Sequence, residues 1–84
     1  MRLYYSYDEI KNLKIQLSSI VNRINNNPFI STELKKVANE MDNQLIHYNE
    51  VLNKLEPGEK VTDFEMVQGF NKTEMYIKEI NKVL

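Results

Sequence analysis

Apolar residues recur at intervals of three and four positions in three separate segments of the chain, and this spacing is typical of amphipathic α-helices. The first segment predicts a helix from about residue 7 to residue 26. Its apolar stripe consists of Ile10, Leu13, Leu17, Ile20 and Ile24. Ser6 and Glu9 form a Ser-x-x-Glu pattern, in which each side chain can bond a backbone amide at the helix start.

The second segment carries the longest unbroken stripe, which predicts a helix from about residue 33 to residue 55 with Ser31 or Thr32 as its cap. The stripe consists of Leu34, Ala38, Met41, Leu45, Tyr48, Leu52 and Leu55. Val37 and Val51 flank it on one side, so the apolar face is wider than a contact between two helices requires. We expect a third helix or a second copy of the chain to cover this flank.

The third segment predicts a helix from about residue 63 to residue 83, with Thr62 and Glu65 as a second capping box. Its stripe consists of Met66, Phe70, Thr73, Ile77, Ile80 and Leu84. Gly69 lies inside this segment and costs about 1 kcal/mol relative to alanine. Two interpretations therefore stay open: one continuous helix, or a break near Gly69 with Thr73 capping a separate last helix.

Pro28 and the Pro57-Gly58 pair separate the three segments, because neither site suits a helix interior. Connections of about five or six residues make neighbouring helices antiparallel. We therefore predict an all-α protein with a single domain over residues 1–84. It would be an antiparallel helical hairpin plus a third helix, arranged as a three-helix bundle or a coiled-coil-like assembly. The leader before the first helix, Met1–Tyr5, either packs back on this bundle or extends into a partner.

Composition narrows the class of protein. The 84 residues include no cysteine, and the formal net charge is −1. These values exclude a disulfide framework and argue against nucleic-acid binding, which usually needs a basic excess. No apolar run is long enough for a membrane span or a signal peptide, so we expect a cytoplasmic protein without membrane attachment. The only histidine, His47, falls on the solvent side of the second helix, and we expect neither a metal site nor a cofactor.

One polar edge of the second helix combines amides, a carboxylate and an isoleucine beside the core stripe. We call it the polar strip, and it consists of Lys35, Asn39, Asp42, Ile46, Asn49 and Asn53. As a docking surface for a protein partner, it would use Ile46 for apolar contact area and Asn39 and Asp42 for directional polar contacts. The other three residues would supply further contacts. The alternative is an ordinary polar surface, since asparagine occurs 11 times in this sequence.

Residues 37–48 read Val-Ala-Asn-Glu-Met-Asp-Asn-Gln-Leu-Ile-His-Tyr. They resemble the signature of the small sporulation-regulatory aspartyl-phosphate phosphatases, the stage-zero-sporulation-E type. That family carries a Ser-Gln-Glu-Leu-Asp core on the second helix of a hairpin, followed by apolar residues and a tyrosine. The resemblance covers roughly residues 9–55, including the hairpin spacing, and leaves residues 56–84 outside.

The matches and the departures both fall within the five-residue core of this signature and its tyrosine. The matching residues are Glu40, Asp42 and Tyr48, and Met41 replaces the leucine conservatively. Ala38 stands where the family has serine, and Asn39 stands where it has glutamine. Asparagine is one methylene shorter than glutamine, so its reach differs from that of the family residue.

The resemblance implies a negative regulator that removes phosphate from an aspartate of a response-regulator receiver domain and so restrains sporulation. The receiver would already hold the metal ion and the phospho-aspartate. A helical partner would then need only to orient water in line with phosphorus, by positioning and electrostatics. In that chemistry Asp42 is the main catalytic candidate and Asn39 the water-orienting one.

Two other interpretations stay open, and neither requires catalysis. One is a non-catalytic helical binder or inhibitor, for example one encoded by a phage or mobile element, that blocks a host protein. The other is a self-assembling hairpin, which would form a homodimer if the third helix leaves the wide apolar face of the second helix uncovered.

Overall fold

The computed structural model describes residues 2–84 and consists of three helices and two short strands. In chain order the elements are β1 (Tyr5–Ser6), α1 (Tyr7–Asn25), α2 (Thr32–Lys54), β2 (Lys60–Val61) and α3 (Phe64–Asn81). The predicted all-α class, a helical hairpin plus a third helix, is confirmed. Met1, the first residue of the predicted leader, lies outside the described residues.

The two strands pair antiparallel, with Tyr5 opposite Val61 and Ser6 opposite Lys60. Sequence reasoning did not predict them, because a two-residue strand is too short to show an alternating pattern. The pairing places the residues before α1 beside those before α3. It leads directly into a further hydrogen bond, in which the backbone amide of Tyr7 donates to the carbonyl of Glu59 at 3.3 Å.

The starts of the first two helices follow the predicted chemistry. Ser6 Oγ accepts a hydrogen bond from the amide of Glu9, and the Glu9 carboxylate accepts one from the amide of Ser6, so the predicted capping box is confirmed. α2 begins after Ser31, whose hydroxyl accepts from the amide of Leu34. Of the two caps considered for this helix, Ser31 is therefore the one in place.

The predicted cap of the third helix is wrong by one residue. Asp63, and not Thr62, precedes α3, and its carboxylate accepts a hydrogen bond from the amide of Met66 at 3.1 Å. Aspartate caps a helix as well as serine does and better than threonine, and its negative charge lies favourably at the helix start. The Thr62–Glu65 box therefore does not form.

α3 is one continuous helix, so the interpretation with a break near Gly69 is wrong. Thr73 lies inside the helix, where its hydroxyl is 3.1 Å from the carbonyl oxygen of Gly69. This bond to the preceding turn is the usual way in which a threonine satisfies its hydroxyl within a helix.

A single apolar cluster joins the three helices with the short sheet. The whole predicted stripe of α1 is buried in it, together with Ala38, Met41, Tyr48 and Val51 of α2 and Val67, Phe70, Ile77 and Ile80 of α3. The leader packs back on this cluster through Tyr5, which is 1% exposed, whereas Leu3 is 85% exposed. Burial of Val51 in the same cluster shows that the flank of α2 is covered within the chain.

Among residues 2–84, no helix combines the length and the apolar character that crossing a membrane would require.

Candidate functional site on the outer face of helix α2

All six residues of the polar strip are exposed on α2. They occupy one side of the helix because successive residues rotate by about 100° around its axis. Taking the buried Met41 as zero, Asp42 lies at about +100° and Gln44 at about −60°. Gln44 is on the side of α3, since its carboxamide oxygen is 3.2 Å from the hydroxyl of Thr73. The polar strip therefore lies on the side of α2 that α3 does not cover.

Asn39 and Asp42 are neighbours on this surface, since residues three positions apart on a helix lie about one turn apart on the same face. Within residues 2–84 neither side chain makes a hydrogen bond or an ion pair. Ile46, one turn beyond Asp42, is 61% exposed. The centre of the strip thus offers a carboxylate, an amide and an apolar side chain that the fold itself does not use.

The structure also separates the two departures from the phosphatase signature. Ala38 is 1% exposed and Met41 is 4% exposed, so both positions belong to the core and neither can touch a partner. Loss of serine at position 38 therefore changes packing and not the outer surface. Asn39 is the only departure in the five-residue core that lies on the polar strip, and it keeps the amide function of glutamine.

The matching Glu40 does not lie with Asp42. It faces the other side of α2, where it lines a cavity of about 250 Å³ between α2 and α3. A second cavity, of about 390 Å³, adjoins it, and both are lined by Gln44 and Gly69. None of the polar-strip residues lines either cavity, so the strip is an open helix face and not a pocket.

Tyr48, the remaining match, is a core residue. It is 2% exposed, its ring packs edge-on against Phe70 with centroids 5.1 Å apart, and its hydroxyl donates to Thr73 Oγ1 at 2.8 Å. Burial raises the pKa of Tyr48 above its ordinary value, which keeps the phenol neutral. Its role is therefore to join α2 to α3, and it cannot reach a partner docked on the polar strip.

His47 is exposed, as the sequence predicted, and lines the second cavity together with Glu65. In the part of the chain that the structure describes, no group of three or more histidine, cysteine or carboxylate side chains is placed to hold a metal ion.

A polar cluster near the N-terminus, which sequence reasoning missed, joins the leader to α1 and α3. It consists of Arg2, Tyr5, Glu9, Asn71 and Glu74. Tyr5 Oη lies 2.8 Å from Asn71 Oδ1 and 2.7 Å from Glu74 Oε2. Burial, reinforced by the hydrogen bond to Glu74, raises the pKa of Tyr5 well above its ordinary value. Asn71 was one signal available in the sequence, because this polar residue directly follows Phe70, a member of the predicted stripe.

Comparisons with protein-family models, with curated proteins and with solved structures found no match to this chain. The resemblance to the phosphatase signature therefore rests on the residues of α1 and α2 themselves.

Proposed function

We propose that this chain is a small regulatory protein that docks the polar strip of α2 on a response-regulator receiver and promotes loss of phosphate from its aspartate. The observation that carries the proposal is the exposure of Asn39 and Asp42, one turn apart and without partners among residues 2–84, beside the exposed Ile46. The proposal places the protein in the cytoplasm, where receivers are phosphorylated.

The chemistry asks little of a helical partner. Water attacks phosphorus, the bond between phosphorus and the aspartyl oxygen breaks, and inorganic phosphate leaves with the receiver carboxylate restored. Asp42 would accept a hydrogen bond from the attacking water and hold it in line, and Asn39 would supply a second hydrogen bond. Alignment of this kind lowers the barrier because it removes the entropy of bringing water into position.

The remaining strip residues would hold the helix in register on the receiver. Ile46 supplies apolar area at the centre of the contact, where buried side chains contribute most to binding. Lys35, Asn49 and Asn53 lie along the same side of α2 and would form its polar rim. α3 leaves this whole side open, so the extra helix is compatible with the docking expected of a hairpin.

The decisive experiment uses the receivers of the source organism, each phosphorylated with acetyl phosphate. It measures the lifetime of the phosphorylated form of each receiver in the presence of this protein. We expect one receiver to lose phosphate faster in the presence of the wild-type chain. Asp42→Asn should lower this acceleration about 10²-fold. Glu33→Gln is the matched control, because Glu33 is an exposed carboxylate of α2 outside the strip. Equal rates for Asp42→Asn and wild type would contradict the proposed site.

The shorter side chain of Asn39 favours a second candidate function, a non-catalytic binder that occupies the same receiver surface. An amide that falls one methylene short can still hydrogen-bond a partner but aligns water less well. In this case a complex forms that Ile46→Asp disrupts, while the phosphate lifetime of the receiver is unchanged. The same experiment therefore separates catalysis from blocking.

A further inference from the structure

The segment Arg2–Ser6, which we call the N-terminal strap, crosses from the start of α1 to the middle of α3. The backbone amide of Arg2 donates to Asn71 Oδ1 at 3.3 Å, and Asn71 Nδ2 donates back to the carbonyl of Arg2 at 3.1 Å. The hydroxyl of Tyr5 also hydrogen-bonds Asn71 Oδ1, and the ring of Tyr5 packs on Phe70 with the two centroids 5.2 Å apart. The strap therefore fastens to α3 by both its backbone and its side chains.

Charge completes the attachment. The guanidinium of Arg2 forms an ion pair with Glu9 of α1 and lies 3.5 Å from the carboxylate of Glu74 of α3. It also lies over the ring of Tyr5, 5.3 Å from the centroid. A single cation thus bridges two carboxylates on two helices, and its removal leaves two like charges beside a buried phenol.

The contact between α3 and α2 is much less complete than this attachment. Tyr48 joins the two helices through Phe70 and Thr73, but the cavities of about 250 Å³ and 390 Å³ lie beside this contact. Gly69 of α3 lines both cavities, and a side chain at this position would meet nothing within 4 Å, so the space between α3 and α2 is open there. The backbone of α3 lies closer to the backbone of α1 than to the backbone of α2.

We propose that α3 is a hinged flap over α2, and that the N-terminal strap is the fastening that keeps it closed. When the strap detaches from α3, this helix moves away from α2 as a unit. The movement exposes the flank of α2 that carries Tyr48 and Val51, while the α1–α2 hairpin stays folded. This device goes beyond the proposed function, because it concerns the side of α2 that faces away from the polar strip.

Hydrogen exchange of the full chain, followed by mass spectrometry, tests the flap. We expect Tyr5→Phe and Arg2→Gln each to speed exchange of the α3 amides by about 5- to 30-fold, the effect of weakening a local closure by one or two kcal/mol. Amides in the second half of α1 and in α2 are expected to change less than about twofold. Tyr5→Phe removes only the hydroxyl and keeps the ring that packs on Phe70, whereas Arg2→Gln removes the positive charge and shortens the side chain.

Tyr4→Phe is the matched control in the same segment. Tyr4 is 48% exposed and its ring lies under the ammonium of Lys60, away from the polar cluster, so exchange in α3 should equal that of the wild type. Equal acceleration in all three helices would overturn the proposal, because it would show that the strap supports the whole fold and not α3 alone. Unchanged exchange in α3 of both strap variants would also overturn it.

Discussion

Two tyrosines enclose Phe70 at the centre of the molecule, and each brings a hydroxyl into the interior. Their ring centroids lie 5.2 Å and 5.1 Å from that of Phe70, for Tyr5 and Tyr48 respectively. Buried phenols need a hydrogen-bond partner, and both have one on α3. Each tyrosine therefore contributes apolar area and a polar connection at the same place.

These phenols predict a loss of stability at alkaline pH. The pKa values of Tyr5 and Tyr48 are raised in the folded state, mainly by burial, above the ordinary value of about 10. The stabilisation that follows is fully present below pH 10 and is lost as the pH rises above it, because the unfolded chain releases these protons more readily. Urea unfolding at pH 8 and pH 11 measures the difference.

The double variant Tyr5→Phe/Tyr48→Phe isolates this contribution from that of the lysines, which also titrate near pH 10–11. We expect it to be less stable than the wild type at pH 8 and to lose less free energy of unfolding between the two pH values. Parallel curves for the two proteins would show that the buried phenols do not govern the alkaline decline.

At the scale of elements, the helices could be predicted because their signal is local and repeated. Each stripe buries one face against the other two helices, so periodicity alone located all three. Asp63 shows the limit of this reasoning. Asp63 and Thr62 can both cap the start of α3. Which of them does so depends on where the backbone turns after β2, and β2 pairs with a strand more than fifty residues earlier.

The cap of α3 gives a prediction at this scale. Asp63→Ala should lower the free energy of unfolding by about 1 kcal/mol, because the amide of Met66 loses its acceptor and the helix start loses a favourable charge. Thr62→Ala, one position away, is expected to stay within about 0.5 kcal/mol of the wild type, as exposed substitutions usually do. Urea unfolding of both variants decides between the caps, and the reverse order would contradict the structure.

The polar cluster could not be predicted for a different reason. Asn71 and Tyr5 are 66 positions apart, and nothing in their local sequence indicates that they meet. The polar strip could be placed on one face by counting along α2, and its exposure follows the prediction. Counting also indicated that the flank of Val37 and Val51 would be covered, but it could not show whether the third helix or a second copy of the chain would cover it.

At the scale of the whole molecule, coverage of α2 by α3 decides the oligomeric state that we expect. The homodimer considered from the sequence depended on an uncovered flank, and Val51 on that flank is buried within the chain. The largest remaining apolar exposures, Phe29 and Leu3, lie outside the helices and not on one helix face. We therefore predict a monomer.

Sedimentation equilibrium checks this prediction directly. The fitted mass should be close to the 10.0 kDa of a single chain and should not change with protein concentration. A mass near twice that value, rising with concentration, would contradict the prediction.

The long sequence separation of the polar cluster has a consequence for vectorial synthesis on the ribosome. α1 and α2 are neighbours in the chain and can pair as soon as both have emerged, but Tyr5 meets Asn71 only after 66 further residues have been added. At about 5–20 residues per second this takes about 3–13 s. Throughout that interval Tyr5 stays unburied, and once α2 is complete at Lys54 the nascent hairpin also presents an uncovered flank, so a chaperone or a cotranslational partner has access to them before α3 is added.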